Sequence, residues 1–277
     1  MPISLCDSAW HKLPDAYGRS DTGRRIAQLA RKWDGDLADD LFWSCLCHQD
    51  TLSPATFAAM PHIVALGHEA TGKPRCAIAA FLGYVALKVQ EPQSDCCGEP
   101  GLAWVVDKLR WERLGLSEIV PEALSLLPQI AELEQSVFVD GRSSEANDHA
   151  AGHLAAKGFC ELSRFLRCRE HGAFVCKACG RWHDWILFGD RIAYYDDVSQ
   201  NDFGGMVIAD DVGLDDWKRG TPDHAAGFAQ PRDWSDPALD CLRELLQKRA
   251  NPTTATLARF WRAGVRCASC DWMGELT

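Results

Sequence analysis

The sequence predicts a mainly α chain: an αα-superhelix of packed helical pairs over residues 21–168, then a small α+β module over residues 169–277 that closes on four cysteines. Three observations predict it. Apolar residues recur at spacings of three and four through most of the stretch from 21 to 169, the period of helices that bury one face. The pattern Pro-x-Ile-(Val/Ala)-x-Leu occurs at 61–66 and again at 128–133, as expected of repeated helical hairpins that bury their apolar faces by stacking. Two Cys-x-x-Cys pairs, with 87 residues between them, bracket a region whose texture turns to short strands.

A chain of 277 residues is long enough for one large core or two smaller ones. Residues 1–20 hold Pro2, Pro14 and Gly18 and keep no sustained period, so they are expected to be irregular. Asp21 is expected to cap a helix carrying Ile26, Leu29 and Ala30 on one face. Asp36 opens the next run, with Leu37, Leu41, Cys45 and His48 at helical spacing. Ser53-Pro54 reads as a serine N-cap with proline at the first helical position. The helix it starts carries Phe57, Met60, Val64 and Gly67 along one stripe. Lys73–Gln90 is almost wholly apolar and must be buried on most sides. A loop at 91–101 interrupts the series, helical patterning resumes near Leu102, and Ser117 opens a run through Glu134. Pro61 and Pro128 both stand in mid-helix on this reading, where proline kinks the chain.

Residues 41–66, Leu-Phe-Trp-Ser-Cys-Leu-Cys-His-Gln-Asp-Thr-Leu-Ser-Pro-Ala-Thr-Phe-Ala-Ala-Met-Pro-His-Ile-Val-Ala-Leu, resemble a segment of bacterial HEAT-like repeat proteins. The shared features are a leucine-rich helix ending in a His-Gln-x-Thr turn, then a helix that begins Pro-Ala-Thr and continues to Pro-His. Asp50 stands where that family's turn has glycine. The resemblance implies a HEAT-like fold for about the first 165 residues. Some such proteins resemble immunity proteins of bacterial toxin systems, which implies a protein-binding role.

After Cys168 the pattern changes. Residues 175–183 form a knuckle, and 185–195 read as a β-hairpin turning at Gly189-Asp190. A short strand is expected at 206–209 and helices at 236–249 and 253–261, before a second knuckle at 265–273. Each Cys-x-x-Cys turn points two sulfurs to one side, and two such turns facing each other suit one tetrahedral zinc ion. The expected ligands are Cys176, Cys179, Cys267 and Cys270, giving one structural Zn2+ per chain, in a zinc-ribbon or treble-clef-like arrangement with a long insertion. Four thiolates leave no open position for water or substrate. Zinc binding in knuckle peptides is worth about 10–16 kcal/mol, which exceeds the logarithmic entropy of closing a long loop. His171 and His183 flank the first knuckle as possible substitutes for one cysteine. The other cysteines include Cys45, Cys47, Cys76, Cys160, Cys168 and Cys241, which sit singly in apolar patterns as small buried hydrophobes. An odd total of thirteen in a chain of this length argues against a secreted disulfide scaffold.

No Gly-x-Ser-x-Gly, P-loop or dinucleotide fingerprint occurs. His149 and His153 lie at i, i+4, but the segment reads His-Ala-Ala-Gly-His and lacks the glutamate of a metalloprotease helix. His68-Glu69 and His183-Asp184 lack the companion residues that metal enzymes would need. Net charge is −10, which disfavours nucleic acid as a ligand. The charge is uneven: residues 184–216 hold nine aspartates and one arginine, while 232–266 hold seven basic and four acidic residues. Asp196, Asp197, Asp210, Asp211, Asp215 and Asp216 are therefore candidates for docking a basic partner. The N-terminus lacks a basic region followed by an apolar run, and no stretch approaches a membrane span, so a cytoplasmic protein without membrane contact is expected. The expectation for function is a non-catalytic binding protein, an immunity- or antitoxin-like inhibitor of a basic toxin domain. Its rivals are a metal-dependent enzyme using His149 and His153 on a second metal, and a regulatory scaffold or adaptor.

Overall fold

The computed structural model describes residues 2–49, 51–90, 116–141, 145–168, 171–196, 225, 227–231, 235–267, 270 and 272–276. It is mainly helical, with small antiparallel sheets. The chain divides into two compact units, one of residues 1–163 with 247–249, the other of 164–246 with 250–277. Among the described residues no helix is long and apolar enough to cross a membrane.

In the first unit a 3₁₀ turn, Ser8–Lys12, leads to helix α1, Thr22–Arg31. Asp21 stands at the N-cap position of α1 as expected, but its carboxylate accepts from Arg24 at 2.8 Å instead of from a helix N–H. The next helix, α2 (Gly35–Asp39), starts before the expected Asp36. Its cap is Asp34, which accepts from the Leu37 N–H at 3.1 Å. The chain then widens into a π-helix, Asp40–Leu46, and pairs β1 (Cys47–His48) with β2 (Thr51–Leu52). His48 thus leaves the helix it was expected to extend. The tight turn puts Gln49 at φ 46°, a left-handed conformation that a side chain seldom adopts.

Helix α3, Pro54–Glu69, begins at Ser53-Pro54 as expected, although the Ser53 hydroxyl meets Thr56 Oγ1 at 3.2 Å and caps no helix N–H. Pro61 lies inside the helix, and Phe57, Met60, Val64 and Gly67 are buried. Helix α4 is Lys73–Gln90; Phe81 on it stacks on Phe42 of the π-helix, with centroids 4.6 Å apart and planes 11° apart. The run expected from Ser117 divides into α5 (Leu116–Leu124) and α6 (Leu127–Asp140). Pro128 therefore lies in the first turn of a helix, where its missing N–H would have no intrahelical partner. Pro61 and Pro128 are not equivalent positions, and the echo between 61–66 and 128–133 is one of sequence only. Helix α7, Ala146–Ala156, packs against both α4 and α6, and α8, Cys160–Arg167, follows it in the chain.

Two glycines make that packing close. A Cβ on Gly83 would lie 2.7 Å from the Gly152 Cα, and a Cβ on Gly152 would lie 3.0 Å from the Gly83 Cα. Either would also overlap Glu134 Oε1. Glycine costs about 1 kcal/mol against alanine inside a helix, so a Gly152→Ala change would gain helix propensity while overpacking the crossing, which costs about 1–3 kcal/mol. We expect a net loss, read as a lower urea midpoint at unchanged slope. A raised midpoint would contradict the close approach of α4 and α7.

In the second unit four strands pair antiparallel in the order β3-β4-β5-β6: His171–Val175, Trp182–Phe188, Arg191–Asp196 and Gly227–Phe228. Strands β4 and β5 turn at Gly189-Asp190 as expected, with Gly189 at φ 58°. The expected strand at 206–209 lies outside the described residues. Helix α9, Pro237–Lys248, is capped by Asp236, and α10, Pro252–Phe260, by Asn251, which accepts from the Thr254 N–H at 2.9 Å. Strands β7 (Gly264–Arg266) and β8 (Met273–Glu275) close the second hairpin. The Arg266 N–H donates to Tyr194 Oη at 3.2 Å, so β7 is held against β5. Phe165 packs on Trp185 at 5.4 Å, and Phe174 stacks on His183 at 4.8 Å.

Candidate metal centre

Each knuckle is the turn of a hairpin. The first joins β3 to β4, with the Cys176 N–H bonded to the Arg181 carbonyl and the Gly180 N–H to the Cys176 carbonyl, both at 2.8 Å. Gly180 has φ 70°, where a side chain would be strained although the space is open. The second knuckle joins β7 to β8 with the matching Cys267 N–H to Trp272 carbonyl bond, also 2.8 Å. Asp271 lies outside the described residues.

These turns bring the four predicted sulfurs together, all within 4.8 Å of one another. Cys176 and Cys270 are 3.6 Å apart, Cys179 and Cys267 3.7 Å. A tetrahedron with metal–sulfur arms of about 2.3 Å has edges of about 3.8 Å, so the cluster fits a tetrahedral thiolate site. The spacing is far longer than a disulfide's roughly 2 Å. Cys176 and Cys267 are fully buried, and Cys179 and Cys270 are exposed.

The acid–base states of Cys176, Cys179 and Cys270 diverge. Burial pushes Cys176 up, but the Cys179 and Ala178 N–H groups and the adjoining thiols outweigh it and bring it down to about 7. The Trp272 N–H favours the Cys270 thiolate, yet burial and the sulfurs of Cys176, Cys179 and Cys267 outweigh that and push it up to about 12. Cys179 is raised as well: the Arg181 N–H pulls it down, but the Cys176 sulfur and burial prevail. Four acids this close cannot all ionise alone. A divalent cation at their centre removes the conflict, since a coordinating thiol is deprotonated outright.

Among the described residues these four cysteines are the group of His, Cys, Asp and Glu side chains that meets as a possible metal site. His183 is buried in β4 against Phe174, and His171 opens β3, four residues before Val175. Asp196 ends β5 with its backbone in register with His183. Asp197, Asp210, Asp211, Asp215 and Asp216 lie outside the described residues.

His149 and His153 do share one face of α7, turned toward α6. His149 Nδ1 is 2.6 Å from Glu134 Oε2, and both side chains are fully buried. His153 Nδ1 is 2.8 Å from the Ala131 carbonyl oxygen. Burial lowers the His149 pKa, but the Glu134 carboxylate, through its charge and its hydrogen bond, outweighs this and raises it above the ordinary value. Sequence reasoning missed Glu134, which lies in an ordinary helical run and carries no motif.

It also took Cys45 for a plain buried hydrophobe. Cys45 is fully buried, but Arg25 Nη1 donates to its sulfur at 2.9 Å, Arg19 does likewise, and Arg25 pairs with Asp40. That hydrogen bond from Arg25 holds the Asp40 carboxyl below its usual range. Burial outweighs the guanidinium contacts at Cys45 and raises its thiol, the opposite of what an activated nucleophile needs.

Comparison with protein-family models, with curated proteins and with solved structures finds no match to this chain.

Proposed function

We propose that this protein is a non-catalytic binding protein with one structural zinc ion, acting in the cytoplasm as an immunity- or antitoxin-like inhibitor of a basic toxin domain. The observation that carries the non-catalytic reading is the closed set of four sulfurs, all within 4.8 Å. Zinc is the natural occupant because it accepts four thiolates without preference from d-electrons, and four thiolates leave it no open position. The resemblance of residues 41–66 to bacterial HEAT-like repeat proteins, some of which resemble immunity proteins, supports the inhibitor role. So does the net charge of −8 over residues 184–216, which would speed encounter with a basic partner and disfavour nucleic acid.

Metal analysis tests the first half: one zinc per chain is expected. A second metal per chain, lost on His153→Ala, would favour an enzyme over an inhibitor. The second half is tested by co-expression with the products of neighbouring genes, one of which should be toxic only when this protein is missing. Charge reversal at Asp210 and Asp211 should then slow association with that product by about tenfold or more at low salt. Unchanged association kinetics would remove these aspartates from the interface.

A further inference from the structure

We propose that the four-cysteine centre is also an oxidation site, at which hydrogen peroxide exchanges the metal for a disulfide joining the two knuckles. The inference rests on the zinc reading above and gives that site a regulation. Each knuckle supplies one exposed sulfur, Cys179 or Cys270, and one buried sulfur, Cys176 or Cys267. An oxidant arriving from solvent meets Cys179 or Cys270 first. Each of these touches the buried sulfur of the opposite knuckle: Cys270 lies 3.6 Å from Cys176, and Cys179 3.7 Å from Cys267. Within a knuckle the two sulfurs also lie within 4.8 Å of each other, so a bond there is the competing outcome that peptide mapping separates.

The chemistry balances in two steps. The exposed thiolate attacks one peroxide oxygen, the O–O bond breaks, and a sulfenic acid forms as the other oxygen leaves as hydroxide and is protonated to water. The buried thiolate of the other knuckle then attacks the sulfenic sulfur, the S–S bond forms, and hydroxide leaves to become a second water. Two thiolates have lost two electrons, and one peroxide with two protons has become two waters. The two remaining sulfurs cannot satisfy a four-coordinate ion, so Zn2+ departs. The disulfide spans 88 or 94 positions of sequence, as the metal did. The oxidised chain is metal-free yet stays tied, unlike a chain stripped by chelator.

The full-length protein tests this. Zinc is first measured as purified, then hydrogen peroxide is titrated in while released zinc is followed with a chromogenic chelator. The product is alkylated and digested with trypsin without reduction. Cleavage after Arg169, Lys177, Arg181 and Arg266 puts Cys176 in peptide 170–177, Cys179 in 178–181, and both Cys267 and Cys270 in 267–277. We expect one zinc released per chain, together with 267–277 joined to 170–177 or to 178–181. We also expect proteolysis of residues 171–196 at least about tenfold slower than in the reduced, chelator-treated chain, as closing a long loop predicts. Three outcomes overturn the proposal: linkage only within a knuckle, sulfinic or sulfonic acids alone, or zinc retained at peroxide levels that oxidise the exposed Cys6. A protein that holds no zinc before peroxide, even after zinc is supplied, instead refutes the zinc reading and this inference with it.

Discussion

Replacing Cys176 with serine should abolish metal binding and leave residues 164–246 and 250–277 without cooperative structure. Cys176 is fully buried and one of four sulfurs that must act together. Binding a structural zinc supplies about 10–16 kcal/mol in knuckle peptides, comparable to or above the stability of a whole domain, about 5–15 kcal/mol. The expected readings are metal content falling from one per chain to none, and rapid proteolysis of β3 to β5. A chelator should reproduce both in the unmodified protein. Acid should act in the same direction, because the ligand is the thiolate and protons compete with metal for sulfur. A C176S protein that keeps both its metal and its protease resistance would show that the four sulfurs are packed together for another reason.

The second large effect is expected at Glu134. Glu134→Gln keeps the volume between Gly83 and Gly152 but removes the charge opposite His149, leaving a buried imidazole whose protonation is favoured only by the weaker charges of Asp148 and Glu145. Removing one partner of a buried pair costs about 3–5 kcal/mol. The pH dependence has a definite sign. His149 is raised above 6.5 in the folded chain. Its pairing therefore stabilises fully below that unfolded value, and the contribution is lost as pH rises through the higher folded one. Chemical denaturation of wild type and E134Q should give the widest gap below the unfolded value of 6.5 and a gap that narrows as pH rises through the higher folded one. A gap that does not change with pH would mean that His149 is neutral when folded.

These two sites differ in how much the sequence reveals. The knuckles are local: four residues specify a turn and aim both sulfurs, so the four-sulfur cluster can be read before the fold is known. Ser53-Pro54 and Gly189-Asp190 are legible for the same reason, since a cap and a turn depend on their immediate neighbours. The Glu134–His149 pair is not local. It exists because α6 and α7 lie in one register and because two glycines, 69 positions apart, let α4 and α7 approach. No spacing in the sequence encodes that meeting. Pro128 misled for a related reason: its neighbours look like those of Pro61, yet a break at 125–126 makes it a helix start. The widened turn at Asp40–Leu46 likewise hides in an ordinary 3–4 pattern, because a π-helix changes hydrogen bonding without changing the residue types that it buries.

The two-hairpin construction of the metal centre also has a consequence for synthesis. Cys176 and Cys179 leave the ribosome well before their partners, and the last sulfur follows the first by 94 positions. At about 5–20 residues per second this leaves an interval of about 5–20 s in which only half of the ligands exist. During that time the nascent chain can hold metal only weakly, and the first knuckle is open to capture by other thiols or chaperones. Maturation of this region is thus a timed event. If the centre holds zinc as proposed, the rate of maturation should depend on free zinc at the moment the second hairpin emerges, more than on the average supply over the life of the protein.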